Sequence, residues 1–193
     1  MLKYNICFIK RGEEILLLNR ERASWMGCWN GVGGKLDPSE TPRAAMIREL
    51  EEETGIQSYE LHFKGLVTWK GDDFDYGGMY AYIAEVPPDF VYPTPRKTDE
   101  GILDWKQIDW IMNADNAGIV SNIPITLPYM LDEANCFDHH CLYRQDKLRE
   151  IVHSEVSSSL ETDDTVRALY LDKYASKAGS VSRRYLENAR FSG

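Results

Sequence analysis

The stretch Gly34–Ile56, GKLDPSETPRAAMIRELEEETGI, decides the reading of this 193-residue chain. It contains a helix start, a helix stop and an excess of negative charge between them. Thr41 carries a side chain suited to an N-cap, and Pro42 suits the first helical position, where a missing N–H costs nothing. Gly55 supplies the left-handed residue that ends a helix. Between these limits Met46, Ile47 and Leu50 form an apolar stripe that would fix the helix against a sheet. Glu49, Glu52 and Glu53 are spaced i, i+3 and i+4, so they share a face and can converge on a cation.

A run of glutamates is more often a solvated helix face, and here local electrostatics argue against that reading. Glu49, Glu51, Glu52 and Glu53 crowd the last turns before Gly55, where the helix dipole is already negative, and Glu49 with Glu53 is a like-charge i,i+4 pair. Such violations of local preference concentrate at functional sites. Hard oxygen donors and concentrated negative charge suit Mg²⁺ or Mn²⁺.

The same stretch resembles the Nudix box in full: Gly34, Glu40, Arg48-Glu49-Leu50, Glu52-Glu53 and Gly55-Ile56 stand at the box spacing. The resemblance implies a Nudix hydrolase with an α/β/α sandwich around a mixed sheet. It also implies that Glu49, Glu52 and Glu53 hold the metal and act in catalysis, that Arg48 orients them, and that Glu40 is a supporting contact. Gly33 and Gly34 resemble the loop that opens the box and let the backbone approach closely. Glu100, in Thr98-Asp99-Glu100-Gly101, is similar to the segment that supplies a further carboxylate in many such enzymes, as metal ligand or general base. The choice of base among Glu49, Glu53 and Glu100 stays open.

Trp29-Asn30-Gly31-Val32-Gly33-Gly34-Lys35 resembles the strand before the box in the MutT-like group, which sanitises oxidised purine nucleotides such as 8-oxo-dGTP. An asparagine amide donates and accepts in one plane, so Asn30 is the foremost candidate for reading a purine edge. Asn122 resembles the place where this group puts a second base-contacting residue. Trp29 is a stacking or a core residue, and Lys35 meets a phosphate or solvent. The implied reaction converts a nucleoside triphosphate to monophosphate and pyrophosphate. A nucleotide diphosphate such as ADP-ribose, a dinucleoside polyphosphate or a sugar nucleotide is the alternative substrate class, and a non-catalytic nucleotide sensor is the rival outside enzymes.

Outside the box, Tyr4–Ile9, Ile15–Arg20, Trp29–Gly34, Leu61–Lys70, Gly77–Glu85 and Gly101–Trp105 read as strands, and Ile123–Asp132 as a second helix. His139–Arg144 and Leu148–His153 read as a terminal hairpin. The hydrolase domain is expected over residues 1–156. Ser157-Ser158-Ser159 reads as a linker to a helical extension over 157–193, with helices at Glu161–Tyr174 and Ser182–Phe191. Three roles for the extension stay open: cover for the site, a contact in a homodimer, or a cap on the surface. A net charge of −9 argues against binding a nucleic-acid polymer and leaves a small nucleotide as the partner. The start MLKYNICFIK lacks a leader, no apolar run is long enough for a membrane, and Cys7, Cys28, Cys136 and Cys141 lack zinc spacing; these point to the cytoplasm and reduced thiols.

Overall fold

The computed structural model describes residues 2–72, 76–113, 115–132 and 134–174. The chain opens with strands β1 (Leu2–Arg11) and β2 (Glu14–Arg20), joined by a turn in which Gly12 has φ 56°. There follow β3 (Trp29–Asn30), helix α1 (Pro42–Thr54), and the antiparallel pair β4 (Glu60–Lys70) and β5 (Gly77–Glu85). Next come β6 (Arg96–Lys97), β7 (Gly101–Gln107), α2 (Ile108–Met112) and α3 (Ile123–Met130). A hairpin of β8 (Cys136–Arg144) and β9 (Lys147–Val156) leads to a 3-10 turn at Ser158–Leu160 and a helix, α4, over 164–174.

The described strands form one mixed sheet in the order β6-β7-β2-β1-β5-β4-β8-β9, with β3 paired to β2. β1 runs parallel to β5 and β4 parallel to β8, and the other neighbours are antiparallel. Both faces of the central strands are covered, which is why ILLL in β2 is a continuous apolar run rather than an alternation. Leu16 and Leu18 face one core with Cys7, Ile9, Met46 and Leu50; Ile15 and Leu17 face the other with Phe8, Ile111, Ile123 and Leu127. Helix α1 therefore lies on one face and α2 with α3 on the other, giving the α/β/α sandwich.

Helix α1 starts at Thr41, whose Oγ1 accepts from the Ala44 N–H at 3.2 Å, with Pro42 in the first turn, and it ends at Gly55 with φ 73°. The helix buries Pro42, Ala45, Met46, Leu50 and Thr54. Ile47 departs from the expected stripe and is 44% exposed. At 100° per residue it lies off the 42-46-50 line that meets the sheet. Complete burial of Met46 and Leu50 stabilises the docking by roughly 2 kcal/mol each.

Several boundaries differ from the sequence reading. The strand expected over Trp29–Gly34 is only Trp29–Asn30; beyond it Val32 and Lys35 touch β1 through isolated bridges to Cys7 and Tyr4. The serine run is no linker. Ser157 accepts from the Ser159 N–H, the 3-10 turn follows at once, and Leu160 enters the core at 1% exposure. The helix expected from Glu161 begins at 164, and the one expected over Ser182–Phe191 lies outside the described residues. Helix α2 and the two-residue β6 had no sequence signal, being too short for a pattern to repeat along them.

Candidate active site

The loop from Asn30 to Lys35 passes over the C-terminal half of α1, and the absence of side chains at Gly33 and Gly34 permits the approach. At Gly33, with φ 144°, a Cβ would meet the Asn5 carbonyl oxygen well inside contact distance. At Gly34 it would lie 2.5 Å from the Glu49 carboxylate. The backbone so placed is used: Gly33 N–H donates to Glu53 Oε2 at 3.0 Å, and Gly34 N–H donates to Asn5 Oδ1 at 3.1 Å.

Arg48 organises the helix carboxylates. Its guanidinium meets Glu40 at two points, Nε to Oε1 at 2.8 Å and Nη2 to Oε2 at 2.9 Å, while Nη1 donates to Glu49 at 2.9 Å and Glu52 at 3.0 Å. A planar fork can hold several carboxylates at fixed angles where a lysine could not. The hydrogen bond from Arg48 holds the Glu40 carboxyl below its usual range, and Glu40 in turn holds the guanidinium charged. Burial raises Glu49, with Arg48 opposing.

Glu53 is different, because no arginine pairs with it directly. Burial pushes its carboxyl up to about 7; the Gly33 N–H counteracts this, while the negative charges of Glu49 and Glu100 add to it and the positive charge of Arg20 opposes it. Glu100 precedes β7 and accepts from Arg22 Nη1 at 2.8 Å. Glu49, Glu53 and Glu100 thus share one electrostatic neighbourhood. Among the described residues, no three His, Cys, Asp or Glu side chains stand close enough together to hold an ion as placed. The carboxylates are held by separate donors: Glu49 and Glu52 by Arg48, Glu100 by Arg22 and Glu53 by the Gly33 N–H. Their chemistry fits a hard divalent ion: all are oxygen donors, and Glu53 carries a surplus of negative surroundings that such an ion would offset.

A cleft of about 740 Å³ opens between the sheet and α3, lined by Asn30, Asn122, Trp25, Trp69, Tyr143 and Arg20 among others. The Asn30 carboxamide oxygen accepts from the Gly31 N–H at 2.9 Å, which leaves its NH₂ as donor. Asn122 Nδ2 points to Cys141 Sγ at 3.9 Å, and Asn122 Oδ1 is buried with no hydrogen-bond partner. Trp29 does not line the cleft; its ring packs in the α3-side core with Lys106 Nζ 4.2 Å from its centroid. Lys35 is exposed, and its carbonyl rather than its ammonium is engaged, accepting from Arg48 Nη2 at 3.3 Å.

Arg20 escaped the sequence reading. At the end of β2 it lines the cleft, its charge reaches Glu53, and its Nε is buried without a partner. A cation closing a fully buried apolar strand was the available signal, read only as the strand's end.

The fold and the box are matched outside this chain. Residues 3–120 match the model of the NUDIX domain. The chain belongs to the Nudix family. As such it is a hydrolase of the class that acts on phosphoric anhydrides. The uncharacterized Nudix hydrolase YvcI of Bacillus subtilis is 30% identical over 111 residues, 55% of this chain and 66% of that protein. The oxidized purine nucleoside triphosphate hydrolase of Mus musculus is 28% identical over 159 residues, 80% of this chain and 96% of that protein. A MutT protein from Bacillus halodurans superposes with a TM-score of 0.65 at 20% identity, covering 78% of this chain and 96% of that one, so the fold is MutT-like.

Proposed function

We propose that this Nudix hydrolase converts a nucleoside triphosphate to its monophosphate and pyrophosphate, with oxidised purine nucleotides of the 8-oxo-dGTP kind as preferred substrate. The observation that carries the reading is the cleft's buried, unpartnered Asn122 Oδ1, which asks for a hydrogen-bond donor, beside an Asn30 NH₂ free to donate. Guanine presents a bare N7 acceptor at the edge that an asparagine reads, whereas its 8-oxo form carries a proton on N7. A buried acceptor therefore favours the oxidised base, by about 1 to 3 kcal/mol for one matched contact. Similarity to the mouse hydrolase of oxidised purine nucleoside triphosphates and to the putative 8-oxo-dGTP diphosphatase 2 of Mycobacterium tuberculosis, 33% identical over 113 residues, supports the substrate class.

The residues divide the work. Glu49, Glu52, Glu53 and Glu100 are the ligands for Mg²⁺ or Mn²⁺, which would neutralise adjacent phosphates and acidify a water. Arg48 fixes Glu49 and Glu52 while tethered to Glu40, and the Gly33 N–H fixes Glu53. One carboxylate of this group accepts the proton of the attacking water. Arg20 spans base cleft and carboxylates and offers its unpartnered Nε to a phosphate oxygen. Trp25, Trp69 and Tyr143 supply apolar walls for the base. Free cysteines and a small anionic substrate are in keeping with action in the cytoplasm.

The test is product release from 8-oxo-dGTP, dGTP, ADP-ribose and diadenosine tetraphosphate with Mg²⁺, on wild type, Glu53→Gln and Asn122→Leu. Expected are a preference for 8-oxo-dGTP over dGTP, its loss in Asn122→Leu, and loss of all turnover in Glu53→Gln. Faster turnover of ADP-ribose or the dinucleotide would keep the hydrolase and discard the base reading.

A further inference from the structure

Helix α1 must present its carboxylates at a fixed rotation and height, and its apolar face cannot do this alone. Packing of Ala45, Met46 and Leu50 sets the distance to the sheet, but apolar contact is non-directional. Besides the bonds of Arg48 to Glu40 and the Lys35 carbonyl and of the Gly33 N–H to Glu53, directional contacts lie at the two ends. At the C-terminal end Tyr92 OH donates to the Thr54 carbonyl at 2.8 Å, with Arg96 Nη1 at 3.4 Å from the same oxygen. At the N-terminal end Arg43 donates through Nη1 to the Leu61 carbonyl at 3.1 Å and through Nε and Nη2 to both oxygens of Glu161, at 2.8 and 3.3 Å.

Glu161 lies well beyond the residues matched to the family domain, 3–120, in the segment that follows β9. It is held as a built part would be. Its side chain is 9% exposed and also accepts from Tyr82 OH at 3.2 Å, a β5 hydroxyl that is itself fully buried. The preceding Leu160 is plugged into the core, and Arg167 of α4 clamps the segment from behind, donating to the Leu160 and Glu161 carbonyls at 2.8 and 3.1 Å. Further along, Tyr170 and Tyr174 reach the buried Asp138 of β8. Among the described residues, none after Asp146 lines the substrate cleft.

We propose that Glu161 is a positioning residue: through Arg43 it fixes the rotation and height of α1, so that the segment after β9 serves the reaction by holding the helix that carries Glu49, Glu52 and Glu53. This rests on the reading of those glutamates as metal ligands. A 13-residue helix is stiff, so a loosened first turn displaces the carboxylates at its other end, and small displacements of reacting groups are costly.

The experiment is Mn²⁺ binding followed by electron paramagnetic resonance, with melting curves, on the full chain. The variants are Glu161→Gln, Arg43→Gln, the pair together, and Leu160→Ala, which weakens the same segment without touching the ion pair. Expected is an Mn²⁺ affinity about tenfold lower in either single variant, no lower in the pair, and unchanged in Leu160→Ala. Saturating Mn²⁺ should restore most of kcat while KM for the nucleotide stays put. Wild-type affinity in both Glu161→Gln and Arg43→Gln, or an equal loss in Leu160→Ala, would overturn the proposal and leave the segment a stabiliser only. Should Glu161→Gln fail to fold, Arg43→Gln, on the more exposed side of the pair, reads the same contact. Absence of Mn²⁺ binding by folded wild type would overturn the metal reading beneath it, a result distinguishable from the others.

Discussion

The α1 side of the sheet buries two sets of carboxylates in opposite ways. Asp138 and Glu161, nearly inaccessible, are surrounded by donors: Thr68, Tyr170 and Tyr174 around the first, Arg43 and Tyr82 around the second. Glu49 shares a single arginine with Glu40 and Glu52, and Glu53, with which no arginine pairs directly, receives from its surroundings little more than one backbone N–H. The first set is satisfied within the protein, as buried charges must be for a fold to tolerate them. The second is left in want of positive charge, which is a cost to stability that only a function explains. Stability and activity should therefore respond in opposite senses to neutralising the two sets.

The largest effect is expected at Glu53. Glu53→Gln should lower kcat/KM by about 10³-fold, as loss of a carboxylate that holds metal or proton does. Yet its thermal midpoint in chelator should equal or exceed that of wild type, since a crowded charge has gone. A large drop in midpoint would place Glu53 among the satisfied carboxylates and erase the contrast. The mirror experiment is Asp138→Ala, which strands three hydroxyl donors in the interior. Chemical denaturation should show a loss of about 3 kcal/mol, with turnover at saturating Mg²⁺ retained.

Gly34→Ala sharpens the contrast from the backbone side. The added methyl would stand 2.5 Å from the Glu49 carboxylate, which must swing away from Arg48 to admit it. Activity should fall about tenfold to 100-fold with a small change in melting, and steady-state kinetics beside calorimetry would separate the two. An inactive and unfolded variant would mean that Gly34 serves the fold first.

The legibility of the two sets in the sequence differs for a physical reason. Glu49, Glu52 and Glu53 are neighbours through helical spacing, and Thr41, Pro42 and Gly55 mark that helix locally, so both the helix and its charged face could be read from one stretch. The partners of Asp138 and Glu161 lie from 32 to 118 residues away along the chain. Those pairings are created by the sheet order, and no local pattern encodes them. Arg20 was hidden similarly, since a cation after ILLLN looks like a strand end until β7 and the cleft are placed around it. The Asn30 and Asn122 positions were legible through resemblance, but the orphaned oxygen that makes Asn122 informative exists only in three dimensions.

A smaller effect reads both kinds of burial in one titration. His139 of β8 is wholly buried, with Nδ1 2.8 Å from Nδ1 of His153, on which Tyr129 stacks at 4.0 Å, and with Nε2 unpartnered. Burial, with the neighbouring His153, pulls its pKa down to about 3. A histidine depressed in the fold gives stability that is whole above its unfolded pKa, about 6.5, and is lost as pH falls toward the folded value. Between pH 6.5 and 5 the loss should be roughly 1 to 2 kcal/mol. Glu53 has the opposite sign: its folded pKa, about 7, lies above the unfolded one, so acidification from pH 7 toward 4.5 relieves a penalty and stabilises the metal-free fold. The two slopes partly cancel in wild type. Denaturation in chelator at pH 7 and pH 5 should therefore show a modest change for wild type, a steeper loss in acid for Glu53→Gln, and a gain in acid for His139→Leu. Identical pH slopes in all three would mean that neither group is perturbed by its burial, and that the contrast between satisfied and unsatisfied charge is one of geometry without energy.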